Sequence, residues 1–196
     1  GRLGPVNPQA AAQPLALTLA LALPSADAVF LEPFARGLLA LADAHGIELV
    51  GGDTTRGPLN ICITVMGEVP PGQALLRSGA RAGDDVWVSG TLGDARLALE
   101  VFRGTLQLPA EVFEACRARM ELPMPRVALG LALRGVATAA IDISDGLVGD
   151  LGHVLQRSGV GACIDTKIAI NCIACCAALA RAGGLFDSET GLRWAQ

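Results

Sequence analysis

Val50-Gly51-Gly52-Asp53-Thr54-Thr55-Arg56-Gly57 is the stretch on which the reading of this chain turns. A short apolar run, Ile47 to Val50, leads into it and reads as a buried strand. Two glycines then allow close approach of the backbone, and a carboxylate and two hydroxyls follow at once. A turn of this composition suits phosphate oxygens and a hard cation, because backbone N–H groups cradle anions while Asp53 offers oxygen to magnesium. Taken alone, the same residues also read as an ordinary strand-ending turn, so the choice depends on the flanking sequence.

Upstream, Leu15 to Leu23 alternates Leu with Ala and Thr and reads as a largely buried strand. Ser25-Ala26-Asp27 offers a helix N-cap, and Val29 to Ala44 carries Phe30, Phe34, Leu38 and Leu41 at helical spacing. His45-Gly46 closes that helix, which makes His45 a solvent-facing residue near a helix end and not a catalytic base. Downstream, Leu59 to Val69 reads as a further strand, ended by Pro70-Pro71-Gly72. Strand, helix, strand and strand describe an α/β layer and exclude a helical bundle.

Leu76 to Asp84 is polar and glycine-bearing, and it places a domain boundary between residues 1–76 and 77–196. Beyond it the alternating Asp85 to Ser89 predicts a strand. Helices are predicted over 94–102, 109–120 and 126–133, with Pro123 and Pro125 separating the last two. Val136 to Ile143 predicts a buried strand, a helix follows to about Arg157, and Gly161 to Asp165 predicts a short strand. Helical patches appear at 174–181 and 188–194, while residues 1–13 read as an irregular lead-in.

Composition narrows the function classes. A net charge of −4 with 15 Lys+Arg gives no basic surface for nucleic acid, and no apolar run reaches membrane-spanning length. No signal peptide is evident, so a cytoplasmic enzyme is expected. Of the six cysteines, Cys62 and Cys116 fall on apolar faces, where a thiol behaves as a small hydrophobe. Cys172-Ile173-Ala174-Cys175-Cys176 has zinc-like spacing, but only Cys163 and His153 lie near enough to complete four ligands, and a run of structural thiols is the expected reading.

A second acidic turn, Asp142-Ile143-Ser144-Asp145-Gly146, follows the predicted strand at 136–143. Strand alternation would put Asp142 and Ser144 on one face, and Asp145 would sit beside free N–H groups at the start of a helix. Oxygen ligands on two turns are what magnesium needs when it keeps several waters and bridges to phosphates. A helix N-cap with a neighbouring surface carboxylate accounts for the second turn equally well.

Together these motifs resemble the thiamine-monophosphate kinases. The likeness is carried by Gly51 to Gly57, Leu76-Arg77-Ser78-Gly79-Ala80 before Gly83-Asp84, and Val88-Ser89-Gly90-Thr91-Leu92-Gly93-Asp94. Pro125-Arg126, Ile141 to Leu147 and Asp150-Leu151-Gly152-His153 extend it from about Pro14 to Trp194. The resemblance implies a two-domain α/β (α+β) fold of the aminoimidazole-ribotide-synthetase type with both domains partial. The first, 1–76, would bind ATP and dimerise, and 77–196 would form an α/β sandwich. It implies Mg²⁺- and ATP-dependent phosphorylation of thiamine monophosphate to thiamine diphosphate by a homodimer. Carried over residue by residue, Gly52, Asp53, Arg77 and Ser144 would contact ATP, and Asp53, Asp142 and Asp145 would bind Mg²⁺. No side chain is singled out as a catalytic acid or base, since a phosphate oxygen is already a nucleophile and positioning and electrostatics dominate.

The chain also departs from the family pattern. Val6 stands where the resemblance places a magnesium-binding aspartate, the family's opening Gly-Asp-Asp turn and its closing substrate-contacting acid are missing, and the Cys172 to Cys176 cluster is foreign to it. A fragment with impaired kinase activity is therefore expected. The alternatives are another ATP-dependent synthetase of the same superfamily and a non-catalytic module that binds nucleotide or dimerises.

Overall fold

The computed structural model describes residues 11–165. They form β1 (Gln13–Leu23), α1 (Ala28–Ala44), β2 (Glu48–Arg56), β3 (Asn60–Glu68), α2 (Asp94–Phe102), α3 (Ala110–Glu121), α4 (Val127–Ala132) and α5 (Leu147–Ser158). Two compact units result, one from residues 11–74 with 126–136, the other from 75–125 with 137–165.

The first unit is built on β1. Its Leu-Ala-Leu-Thr-Leu-Ala-Leu-Ala-Leu sequence divides branched and small side chains between two faces of a pleated strand. Leu17, Leu21 and Leu23 are buried. β1 is the middle of a three-stranded sheet ordered β2-β1-β3, parallel to β2 and antiparallel to β3. α1 makes the β1-to-β2 crossover that a parallel pair requires. Asp27 caps α1 as expected, its Oδ1 accepting the Val29 N–H at 2.9 Å. At the far end Gly46 takes φ 64°, while the Gly46 and Ile47 N–H groups return to the Asp43 and Ala42 carbonyls. Leu31, Phe34 and Leu38 are half-buried and Ala42 is buried, whereas Leu41 stays exposed.

The opening stretch is strand and not turn. Gly51 to Arg56 continue β2, paired with β1 from Thr18–Gly51 through Leu23–Arg56. The register slips between Leu17 and Thr18, so Leu17 faces Leu49, Thr18 faces Gly51, and Val50 is the extra residue of a bulge. The two glycines therefore serve an irregular ladder where their turn propensity had suggested a reversal. β2 is exposed along its length, including Leu49 and Val50, because it is an outer strand of the sheet and not the buried one expected.

The second unit centres on α2 packed against α3. Leu97, Ala98 and Cys116 form its buried cluster, surrounded by Leu106, Leu108, Val112, Phe113 and Met120. Phe102 meets Phe113 edge-on at 5.5 Å, and the buried Glu100 takes ion pairs from Arg96 and Arg103, both at 3.0 Å. A hydrogen bond from the Thr105 hydroxyl is the main cause of a lowered Glu100 pKa. Helices α2, α3, α4 and α5 lie where sequence periodicity put them.

The strands predicted at 85–89, 136–143 and 161–165 are absent. Alternation gives each the right pattern, but a strand needs a hydrogen-bonded neighbour, and among the described residues no ladder forms beside them. Trp87 and Val136 are correspondingly 87% and 73% exposed. Cys116 is buried as expected, while Cys62 on β3 is exposed. The patches at 174–181 and 188–194, Val6, Cys172, Cys175 and Cys176 lie outside the described residues.

Candidate functional site

In the sheet unit, Asp53 lies opposite Ala20 of β1, and Cys62 of β3 lies opposite the same alanine. Thr18 faces Gly51 on one side and Thr64 on the other, while Ala22 faces Thr55 and Asn60. Partners in register share a sheet face, so the exposed Asp53 carboxylate stands over a floor of Ala, Thr and Gly. Branched residues of β1 and β3 (Leu19 with Ile63, Leu21 with Ile61) go to the opposite face. Gly52 has φ 147°, and a Cβ there would lie 1.9 Å from the Leu19 carbonyl oxygen. Sheet geometry alone thus fixes glycine at this position.

In the helical unit, Asp142, Ser144 and Asp145 are exposed on the segment entering α5. The N–H groups of Ser144, Asp145 and Gly146 are not free, contrary to expectation. All three donate to Oδ2 of Asp150, at 2.9, 3.0 and 3.2 Å. Consecutive N–H groups converging on one point form an anion-binding nest, and here the anion is the protein's own carboxylate. Gly146 supplies the reversal with φ 117°, and Asp150 is 3% exposed.

The Arg77 loop belongs to the same unit. Ser158, the last residue of α5, accepts the Gly79 and Ala80 N–H groups at 3.2 and 3.1 Å and donates to the Arg77 carbonyl at 3.4 Å. The loop is also fastened to the segment that leads into Asp142. Ala140 N–H donates to Leu76 O at 3.0 Å, and the Thr138 hydroxyl donates to Asp84 Oδ2 at 2.6 Å. This hydroxyl, with the Arg81 N–H second, holds the Asp84 carboxyl below its ordinary pKa. Arg77 is half-buried, and its Nε is buried without a hydrogen-bond partner. An orphaned guanidinium donor is a costly arrangement unless an acceptor arrives.

The structure therefore ties Arg77, Ser144 and Asp145 to opposite ends of one helix, while Gly52 and Asp53 belong to the sheet unit. Among the described residues no three His, Cys, Asp or Glu side chains gather as a metal centre. Exposed carboxylates at 53, 142 and 145 nevertheless fit magnesium, which takes one or two carboxylates, keeps water and completes its shell with phosphate oxygen. Asp150 entered the sequence reading only as part of the Asp150-Leu151-Gly152-His153 motif, with no role, and Ser158 not at all. The signal for Asp150 was an acid in the first turn of a helix following Asp-Gly, whereas a serine at a helix end carries no such mark.

Residues 10–69 match the family of AIR synthase related proteins, N-terminal domain. The thiamine-monophosphate kinase of Salmonella typhimurium is 43% identical over 188 residues, covering 94% of this chain and 55% of the relative. The crystal structure of thiamine-monophosphate kinase from Stenotrophomonas maltophilia superposes with a TM-score of 0.77 at 50% identity, covering 82% of this chain and 53% of the other. AaThiL complexed with AMPPCP and TMP gives a TM-score of 0.73 at 27% identity, covering 95% and 59%. The chain spans about half the length of the relatives it matches. In sequence and in its α/β fold, this chain is similar to about half the length of the thiamine-monophosphate kinases, and its residues 10–69 match the N-terminal domain of the AIR-synthase-related proteins.

Proposed function

We propose that the protein carrying this chain transfers the γ-phosphoryl group of ATP to thiamine monophosphate, releasing thiamine diphosphate and ADP. The observation that carries the reading is the pinned pair of loops on α5. One presents Arg77, with its buried and unpartnered Nε, and the other presents Asp142, Ser144 and Asp145. Arg77 and the Ser144 hydroxyl would hold ATP phosphate oxygens, and Gly52 and Asp53 would contact the nucleotide from the sheet unit. Asp53, Asp142 and Asp145 would hold Mg²⁺, which when bound neutralises charge between two phosphate-bearing substrates. The chain's own residues orient the reacting oxygens and shield them from one another's charge, and the acceptor phosphate oxygen needs no general base.

In this reading residues 1–76 serve ATP binding and dimerisation, and 77–196 form the second domain. A second copy of the chain would cover the apolar outer strands, where Ile61, Ile63 and Val65 of β3 are each more than 40% exposed. Among the described residues no helix is long and apolar enough to cross a membrane, which is compatible with the cytoplasm as the place of action.

A coupled ADP-release assay with thiamine monophosphate and Mg²⁺ tests the activity. Asp53→Asn and Asp142→Asn are expected to weaken Mg-ATP binding about tenfold or more each, the scale seen when metal-site partners are removed. Unchanged Mg-ATP affinity in both variants would leave the acidic segments a structural role only and sink the proposal.

A further inference from the structure

We propose that Asp150 is a positioning residue that holds the segment Asp142 to Asp145 in its ligand-presenting form. The inference rests on the reading of Asp142 and Asp145 as magnesium ligands. Three donors meet a single oxygen of Asp150, and the carboxylate is buried beneath the loop while Asp142, Ser144 and Asp145 face solvent. Hydrogen bonds to an ionised acceptor are about twice as strong as neutral ones, so this cluster outweighs an ordinary turn contact.

An ordinary helix cap would satisfy donors inside the first turn. Here the donors are Ser144, Asp145 and Gly146, all before the first helical residue, Leu147. The bonding thus goes into the loop and not into the helix it adjoins. Because the nest is already filled, the loop cannot offer these N–H groups to a substrate phosphate. It presents side chains instead, a carboxylate-rich surface suited to a cation. Replacing the Asp150 carboxylate by a neutral amide should weaken the three N–H contacts and loosen the loop and the carboxylates it carries.

The test compares wild type, Asp150→Asn, Asp142→Asn and Asp145→Asn in the intact protein. Amide exchange by NMR reads the loop directly, and calorimetry reads the Mg²⁺ concentration needed for half-maximal binding of a non-hydrolysable ATP analogue. Asp150→Asn is expected to speed exchange at 144, 145 and 146 and to raise the Mg²⁺ midpoint about tenfold, the scale of outer-shell effects on metal affinity. Thiamine monophosphate affinity should stay within about twofold, since the variant acts through the cation ligands and not through general loss of fold. If Asp142→Asn raises the midpoint and a folded Asp150→Asn does not, Asp150 is only a cap and the inference fails while the magnesium reading stands. If Asp142→Asn and Asp145→Asn both leave the midpoint unchanged, the magnesium reading fails and takes the inference with it. Should Asp150→Asn not fold, wild-type exchange decides. Rates at the three amides matching an unstructured peptide overturn the proposal, and protection that increases with Mg²⁺ and analogue supports it.

Discussion

Gly51 and Gly52 stand side by side in β2, yet substitution by alanine should have opposite consequences. At Gly51 a Cβ would meet nothing within 4 Å, so Gly51→Ala is expected to change stability by no more than about 0.5 kcal/mol. At Gly52 the backbone has φ 147° and a Cβ would lie 1.9 Å from Leu19 O on the neighbouring strand. Backbone strain of that kind costs about 1–3 kcal/mol in a non-glycine residue. Relieving the overlap means moving β2 away from β1 by roughly 1 Å, which sacrifices one or two ladder hydrogen bonds at about 1 kcal/mol each. Together these give about 3 kcal/mol, which lowers Tm by about 6–12 °C in a chain of this size. Thermal unfolding followed by far-UV circular dichroism at matched concentration reads the difference. A Gly52→Ala protein melting within about 2 °C of wild type, or of Gly51→Ala, would refute the bulged parallel register from which the magnitude is worked.

Other consequences are independent of the sheet. Leu97 is 1% exposed at the centre of the α2–α3 cluster, so Leu97→Ala should cost about 2–5 kcal/mol in urea unfolding, and a loss under 1 kcal/mol (well below the usual ~2) would show that the cluster is not a close-packed core. Asp84 has a folded pKa below its ordinary 3.8, chiefly through Thr138 and then Arg81. Its contribution is complete above the unfolded pKa and disappears as pH falls through the folded one. Thr138→Val should therefore be less stable than wild type at neutral pH, with the gap narrowing as acid protonates Asp84, and a gap constant from neutral pH to pH ~2 would contradict the assignment. Ser158→Ala removes the acceptor of the Gly79 and Ala80 N–H groups and should weaken binding of an ATP analogue about threefold to tenfold through Arg77, with little effect on helix content by circular dichroism. Unaltered analogue affinity in Ser158→Ala, alongside a clear loss in Arg77→Ala, would separate the loop's anchoring from its role.

Much of the fold was legible because its elements announce themselves locally. Asp27 and Gly46 bracket α1 with side-chain and backbone caps, and the Leu-Ala alternation of β1 survives unchanged as two sheet faces. What failed is what depends on partners remote in sequence. Gly-Gly in β2 looked like a reversal because its ladder to β1, formed across the whole of α1, is invisible to a local window. Segments 85–89 and 136–143 have strand composition but no paired strand among the described residues, so propensity is not expressed as a ladder. At the candidate site, the carboxylates could be named from residue type, and Arg77 only through the family resemblance. The residues that hold them, Asp150 and Ser158, act through backbone N–H groups four to 79 positions away, a relation no motif spacing reveals.

The placement of β1 between β2 and β3 also sets an assembly problem. β2 and β3 follow each other after only Gly57-Pro58-Leu59, a spacing that would let them close as a local hairpin within microseconds. In the native sheet they never touch, since β1 separates them and Gly57 N–H is spent on Leu23 O at 2.9 Å where the connection passes its end. The quickest pairing available to this part of the chain is therefore a wrong one, and β1 must already be in position, or must displace the hairpin, before the sheet can form. Emergence of β1 and α1 ahead of β2 during synthesis provides that order, and a circular permutant placing β1 after β3 would have to fold without it.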